Sequence, residues 1–476
     1  MPKRFKQALC WIRRDLRLND QRALAAATDS AESVAMVFVF DTLILNALAD
    51  RDDRRLTFIH RCLTELDRKL RERGSALIVL HGDPKDEIPR LAQALSAEAV
   101  FTARDYEPYA RSRDKEVSRR LYQLNIGLHS VKDSVIFEQG EVLNQSDAPF
   151  RTYTPYARAW RNQFVLARDA SEAEAELECL SPLSTLKDWL TEWPLEKLGF
   201  EPADLWIEPG ENAGLARLDE FADRIGQYAH DRDYPAIDGV SALSAYLRFG
   251  AVGIRQCVRM AVEHGEAGEK WLSELIWRDF YQDILANHPN VVEEPFQPQY
   301  KDLDYPGSEE GWEAWCKGET GYPIVDAAMR CFNATGWMHD RLRMIVASFL
   351  TKDLLVDYRK GEAYFARYLL DFDLASNNGG WQWAASVGCD AQPYFRIFNP
   401  ILQSKKFDPD GKFIRQWLPE LAALDNEAIH WPHNLPAFDL LAQGIELGNT
   451  YPHPVVDHAT QRDLAIKLLS TVSKKG

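Results

Sequence analysis

Over the first 140 residues, short runs of consecutive apolar residues alternate with stretches in which apolar positions recur every three or four. Ala8–Ile12, Val34–Phe40, Leu77–Leu80, Val100–Ala103 and Leu128–Val131 have the length and β-branched content of strands. Arg54–Arg73 and Arg111–Leu124 carry the helical spacing between them. This alternation predicts an α/β domain over 1–140, built on a doubly wound parallel sheet. From Glu141 to about residue 208 the periodicity fades into TYTPYARAW, SEAEAELECLSPLS and WPLEKLGFEPADLW, which predicts a connector lying over the domains.

Beyond Pro209 the strand signals almost vanish. Helical spacing recurs at Ala213–Arg232, Ala242–Phe249, Ile254–His264, Trp271–Ala286, Ile324–Phe332, Arg341–Asp353, Glu362–Leu370 and Trp381–Ser386, separated by DRDYP, ETGYP and FNATGW. The prediction for 209–476 is an all-α domain. Nine of the fourteen Trp lie beyond residue 270, more than packing alone asks for, since buried indole N–H groups need partners.

Length and composition narrow the class. A chain of 476 residues exceeds one ordinary core. Cys10, Cys62, Cys179, Cys257, Cys316, Cys331 and Cys389 form no CxxC pair, which argues for reduced thiols in the cytoplasm and against a disulfide framework or a metal site. No segment approaches 18 apolar residues, so neither secretion nor membrane spanning is expected. With 56 Lys and Arg against 72 Asp and Glu the net charge is −16, which on its face disfavours nucleic acid. Arg396, Lys405, Lys406, Lys412 and Arg415 still supply a local basic stretch. Neither GxGxxG after the first strand nor GxxxxGK[ST] occurs.

Four stretches carry candidate chemistry. In Asp371–Pro400, Asn377-Asn378-Gly379-Gly380 is expected as a loop allowing close backbone approach before WQWAASVG re-enters helix, with a helix C-cap as the alternative. In WLSELIWRDFYQDIL, Trp271, Glu274 and Arg278 share a helix face and Trp277 lies nearby. Glu274 between two indoles would be desolvated and able to hold a proton; the alternative is an exposed Glu274–Arg278 pair. In GWMHDRLRM, Asp340 is expected near the helix start, facing the positive end of the dipole, with His339 structural and Arg341 and Arg343 on the polar face. Ser241 and Ser244 follow Gly239 at a helix start, where backbone N–H groups can meet an anion or a Ser can cap.

Taken in order, CWIRRDLRLND, IWRDFYQ, TGYPIVDAAMR, GWMHDRLRM, LLDFDLASNNGGWQWAASVG and PYFRIFNP closely resemble the DNA photolyase/cryptochrome family, most of all its bacterial class I cyclobutane pyrimidine dimer members. The resemblance covers essentially the whole chain. It implies an α/β domain able to hold an antenna chromophore and a helical C-terminal domain that binds FAD. Position by position it implies flavin contacts from Tyr228, Val240, Ser241, Ala242, Leu243, Ser244, Trp271, Arg278, Arg343, Asp371, Asp373 and Asn377, the last near flavin N5. It implies that Trp277 and Trp383 cradle a flipped-out dimer, that Glu274 hydrogen-bonds its carbonyls, and that Met344 neighbours the thymines. Arg232, Asp340, Arg341, Arg396 and Gln403 match positions near the lesion or the DNA backbone.

Three departures mark this chain. Asp340 replaces the usual Asn, as in plant cryptochromes, and adds a negative charge. Of the photoreduction tryptophans only the proximal Trp381 is kept; Tyr358 and Tyr305 stand at the next two positions, and Trp312 or Trp315 offers another route. Tyr109-Ala110 replaces the Asn-Glu of folate-antenna members, which turns the expectation towards a deazaflavin-like antenna or none. The resemblance thus implies light-driven repair of cyclobutane pyrimidine dimers, with UV-damaged DNA as partner and a monomeric, cytoplasmic enzyme. The alternative is a cryptochrome-type photosensor without repair. Asp340 and the altered tryptophans favour that alternative, and Asn377 and the short C-terminal end count against it.

Overall fold

The computed structural model describes residues 3–473; Met1, Pro2 and 474–476, the outer edges of the expected domains, lie outside them. The chain divides into two compact units, Met1–Gly226 with Ser241–Pro289 and Gln227–Val240 with Asn290–Gly476.

The first unit is built on five parallel strands, β1 (Phe5–Trp11), β2 (Ala31–Asp41), β3 (Ile78–Gly82), β4 (Ala99–Ala103) and β5 (Gly127–Val131), in the order β3-β2-β1-β4-β5. Each lies where an apolar run predicted it. The central strand registers on both sides, Ala8 opposite Val34 of β2 and Ala99 of β4. Leu9, Trp11, Val37, Val39, Ile78 and Val100 are buried with Leu91, Val117 and Leu121 of the covering helices, as a parallel sheet requires. The Arg54–Arg71 helix starts on Asp53, whose carboxylate accepts from the Arg55 N–H, and turns Leu56, Cys62, Leu63, Leu66 and Leu70 inward.

Inside the stretch expected as connector lies a helix, Tyr153–Gln163, with Tyr156, Ala157 and Trp160 buried. The irregular chain after it is held by the sheet: Ser181 N donates to the Val34 carbonyl at 2.8 Å, and Trp193 Nε1 to the Val79 carbonyl at 2.9 Å. Proline and acidic residues hide this in the sequence because the partners are backbone carbonyls.

Residues 241–289 belong to this unit through buried charge. Arg17 forms a two-pronged pair with Asp133 at 2.8 and 2.9 Å, and Arg255 reaches both Asp20 and Asp133 at 2.9 Å. Leu16 N donates to the Phe249 carbonyl, and Gly250 follows at φ +65, where an added Cβ would lie 2.0 Å from the Arg14 carbonyl oxygen. The helices Ile254–Glu263 and Glu269–Asn287 follow.

The second unit is helical. Its core gathers Trp315, Phe332, Ile345, Val346, Leu350, Phe365, Trp381, Ile414 and Leu418. Two predicted helices are interrupted. Ala213–Arg232 is a helix only over Glu211–Ala222, with a separate turn at Tyr228–Asp231. Arg341–Asp353 is α-helical over Asp340–Ser348 and continues as a π-turn over Phe349–Asp353. Among the described residues no helix is long and apolar enough to cross a membrane.

Removing one member of the Arg17–Asp20–Asp133–Arg255 quartet leaves buried charge uncompensated. Arg255→Ala is expected to cost about 3–5 kcal/mol, measured as an earlier urea unfolding transition.

Candidate functional site

In the second unit the Leu374–Ala385 helix organises the site. Asp373 caps it by accepting from the Ser376 N–H at 3.0 Å. The expected Asn-Asn-Gly-Gly loop is a correction: residues 377–380 are helix interior, and the helix ends at Ser386, not at the glycines. They stay helical because the side chains of the two Asn are held from outside. Asn377 Nδ2 donates to the Glu362 carbonyl at 3.1 Å, and Asn378 Nδ2 to Glu362 Oε1 at 3.0 Å and the Val291 carbonyl at 2.9 Å. The gap left by Gly361 is filled by Trp381, whose ring would lie 2.2 Å from an added Cβ.

Arg343 donates to Asp371 Oδ2 at 2.8 Å and, through Nε, to the Met338 carbonyl at 2.8 Å. Asp371 is buried, and its second oxygen has no hydrogen-bond partner in the protein. At the start of the Asp340–Ser348 helix the cap is His339, not Asp340: His339 Nδ1 accepts from the Arg341 N–H at 3.1 Å. That bond places the ring proton on Nε2. Burial, reinforced by Arg341 and Arg232 and opposed by Asp340, holds the imidazole well below its ordinary range. Asp340 occupies the first helical position, 68% exposed, 3.8 Å from Arg232. Arg341 is tied to Asp233 at 2.6 Å, lies over the Phe407 ring and touches Met344 Sδ at 3.6 Å. Arg232 lies over Tyr228. Arg396 is exposed, and Gln403 and Trp383 are half-buried. The basic stretch is folded into the helices Pro400–Phe407 and Lys412–Trp417, with Lys405 paired to Glu427 and Lys412 to Asp410.

Ring contacts extend from Trp381. It meets Trp315 edge-on at 6.1 Å, and Trp315 stacks on half-buried Trp312 at 5.5 Å. Tyr358 is buried and Tyr305 half-buried; burial raises both hydroxyls far above the usual phenol range, with Asp357 adding to the effect at Tyr305 and Glu362 at Tyr358.

In the first unit the Glu269–Asn287 helix corrects the expectation of a carboxyl between two indoles. Trp271 is buried against Phe221 at 5.0 Å, while Glu274 pairs with Lys270 at 3.3 Å. Arg278 donates to the Ser134 carbonyl. Trp277 is half-buried and stacks on Tyr153 at 3.7 Å. Before the short Ser244–Phe249 helix, Ala242 adopts φ +54 and the Ser241 carbonyl accepts from Arg217 Nε at 2.9 Å; the residue before the helix is Leu243, so neither Ser is a cap. Ser244 Oγ is buried without a partner. Val240 is half-buried in the second unit, and Leu243 is buried in the first.

Each unit therefore keeps a buried polar atom unsatisfied in the protein, Ser244 Oγ in one and Asp371 Oδ1 in the other. Such atoms are rare unless a ligand completes them.

Residues 271–471 match a family profile described as the FAD binding domain of DNA photolyase, and residues 8–176 one described as DNA photolyase. The chain is 41% identical over 468 residues to a deoxyribodipyrimidine photo-lyase of Synechococcus sp., covering 94% of this chain and 93% of the relative. The structure of a class III photolyase from Agrobacterium tumefaciens superposes with a TM-score of 0.91 at 33% identity, covering 100% of this chain and 98% of that one. An archaeal photolyase from Sulfolobus tokodaii, whose structure holds two FAD molecules, matches with a TM-score of 0.81 at 30% identity, covering 98% and 100%. Fold and site are those of a FAD-binding protein with an α/β unit ahead of its helices. The chain belongs to the DNA photolyase/cryptochrome family.

Sequence reasoning missed Glu362, which fixes both Asn377 and Asn378; only a three-dimensional neighbour reveals it. Burial drives its carboxyl from 4.5 up to about 7, against the Asn378 hydrogen bond. The folded state therefore binds this proton more tightly than the unfolded chain. Its stabilisation is full at low pH, falls as pH rises through 4.5 and is lost by about 7. Glu362→Gln is expected to flatten the fall of the thermal midpoint across that window.

Proposed function

We propose that this chain splits cyclobutane pyrimidine dimers in DNA using light. The observation that carries the reading is the likeness over nearly full length to deoxyribodipyrimidine photo-lyases, together with Glu274, Trp277, Met344, Asn377 and Trp383 in one chain. Bound FAD supplies the chemistry of absorbing near-ultraviolet or blue light and lending an electron. Every other task falls to the protein.

Tyr228, Val240, Ser241, Ala242, Leu243, Ser244, Trp271, Arg278, Arg343, Asp371, Asp373 and Asn377 would hold the cofactor. The Arg343–Asp371 pair fixes the free Asp371 oxygen as an acceptor, and Glu362 fixes the amide of Asn377. Trp277 and Trp383 each offer an indole face to an extruded pyrimidine, a stack that tolerates a distorted base. Glu274, released from Lys270, hydrogen-bonds the dimer carbonyls, and Met344 lines the thymines. Arg232, Arg341, Arg396 and Gln403 meet the backbone, with Asp340 tempering the first two. Electrons reach Trp381 from the surface through Trp315 and Trp312, whose rings are in contact, in preference to Tyr358 and Tyr305.

For a second, light-harvesting chromophore the choice lies between a deazaflavin-like group and folate; Tyr109, which donates its hydroxyl to Asp41 at 2.7 Å where folate-binding members carry Asn, favours the first. The enzyme acts as a monomer in the cytoplasm, where its seven free thiols stay reduced.

The test is illumination of the reduced, FAD-loaded protein with a dimer-containing oligonucleotide. Dimers are expected to disappear in light and persist in darkness, and persistence in light overturns the reading in favour of a photosensor. Glu274→Ala is expected to lower repair per absorbed photon with flavin absorbance intact. A separate experiment follows light-driven reduction of the oxidised, FAD-loaded protein with an external donor: Trp315→Phe is expected to slow it more than Tyr358→Phe, while repair by chemically reduced Trp315→Phe is unchanged.

A further inference from the structure

The Tyr153–Gln163 helix is bound along its length to the Glu269–Asn287 helix. Trp160 Nε1 donates to Asp279 Oδ2 at 3.1 Å, Arg161 pairs with Glu269 at 2.6 Å, and Tyr156 packs on Phe280 at 5.2 Å. At its first position the Tyr153 hydroxyl donates to the Ser273 carbonyl at 2.7 Å and lies 2.6 Å from Ser273 Oγ. The Tyr153 ring then lies flat on Trp277, centroids 3.7 Å apart and planes within 6°. Phe280 meets the same indole edge-on at 5.6 Å, and Tyr281 leans on it at 5.5 Å.

We propose that Tyr153 is a positioning residue for lesion binding: it backs the indole of Trp277 so that one fixed face is offered to an extruded pyrimidine pair. The inference rests on the role proposed above for Trp277. An indole on a half-exposed helix face has two rotatable bonds, and holding them at the moment of binding costs conformational entropy. A parallel ring against one face removes that freedom beforehand. Its hydroxyl is anchored on Ser273, one helical turn before Trp277, so the spacing of the two rings is set by the helix itself. With one face covered, the exposed part of the indole lies on the other face and edge. The stack also extends the polarisable surface behind the bound base. Ring and hydroxyl thus have separable duties: the ring holds the indole, and the hydroxyl holds the ring.

The test measures affinity of the FAD-loaded protein for dimer-containing and undamaged duplexes in Tyr153→Leu, Tyr153→Phe, Trp277→Ala and the Tyr153→Leu, Trp277→Ala double variant. Tyr153→Leu is expected to weaken dimer binding roughly threefold to tenfold, leaving undamaged-duplex affinity and flavin content unchanged. Tyr153→Phe, which keeps the ring, stays within about twofold of the parent. In the Trp277→Ala background the Tyr153 substitution adds nothing, because the residue acts through that indole. The proposal is overturned if Trp277→Ala loses dimer preference and Tyr153→Leu does not, or if the Tyr153→Leu loss persists in full without Trp277. If Trp277→Ala itself keeps full dimer preference, the role of Trp277 fails and this inference with it, whereas the light-driven activity is judged separately by the illumination assay. Should Tyr153→Leu not accumulate folded, Tyr153→Met is measured in its place and read by the same outcomes.

Discussion

Four buried charges decide how this chain is partitioned. Arg17, Asp20, Asp133 and Arg255 are each at most 2% exposed, and no water-facing position could stand in for any of them. Burial alone would raise the Asp133 carboxyl, but Arg17 and Arg255 outweigh it and hold the group far below its usual range. Desolvating two guanidinium groups and two carboxylates is costly, and an apolar cluster of the same volume is often as stable. What the charges add is specification: Arg255 finds partners only where Asp20 and Asp133 converge, so a segment that follows the 227–240 excursion is returned to the sheet in one register. The Glu269–Asn287 helix, with Glu274 and Trp277, inherits its placement from that register. Asp279 extends the arrangement by accepting from Ile136 N, Phe137 N and the Trp160 indole.

Much of this architecture was legible in the sequence because it follows from periodicity. All five strands overlap the apolar runs, with ends shifted by up to three residues, and Arg54–Arg73 and Trp271–Ala286 are helices to within a few residues. The failures have a common cause. Gly379 and Gly380 look like chain-breakers, yet a helix tolerates them when Asn377 and Asn378 are tethered to Glu362 and Val291. Glu274 shares a helical face with Trp271 on paper, but Trp271 turns to the core and the carboxylate to Lys270. In every case local preference was overruled by a partner distant in sequence, which one chain read alone does not reveal. The family resemblance named Asn377 and Asp371; it could not name Glu362, whose backbone carbonyl accepts from the Asn377 amide.

Aromatic residues serve two physically different ends in the two units. Tyr153 and Trp277 are parallel and close, an arrangement that maximises contact and leaves a flat surface for a further ring. Trp381, Trp315 and Trp312 meet partly edge-on at larger spacing and run from the buried core to a half-exposed indole beside Lys360. Packing explains Trp315, whose indole donates to the Val346 carbonyl. Burial raises the hydroxyls of Tyr358 and Tyr305 far above the usual phenol range, with Glu362 adding to the effect at the first and Asp357 at the second.

Against a net charge of −16, two of the arginines proposed to meet a DNA backbone are already paired with carboxylates. Arg232 and Arg341 are 14% and 17% exposed and already face Asp233 and Asp340. A phosphate arriving there replaces a carboxylate instead of a counterion, so these residues contribute less to affinity and less to its salt dependence than their number suggests. Exposed Arg396 and Lys406 lie under no such constraint. Asp340 then has a clear physical consequence: at the first position of its helix it is favoured by the helix dipole, and it keeps Arg232 oriented while no DNA is bound.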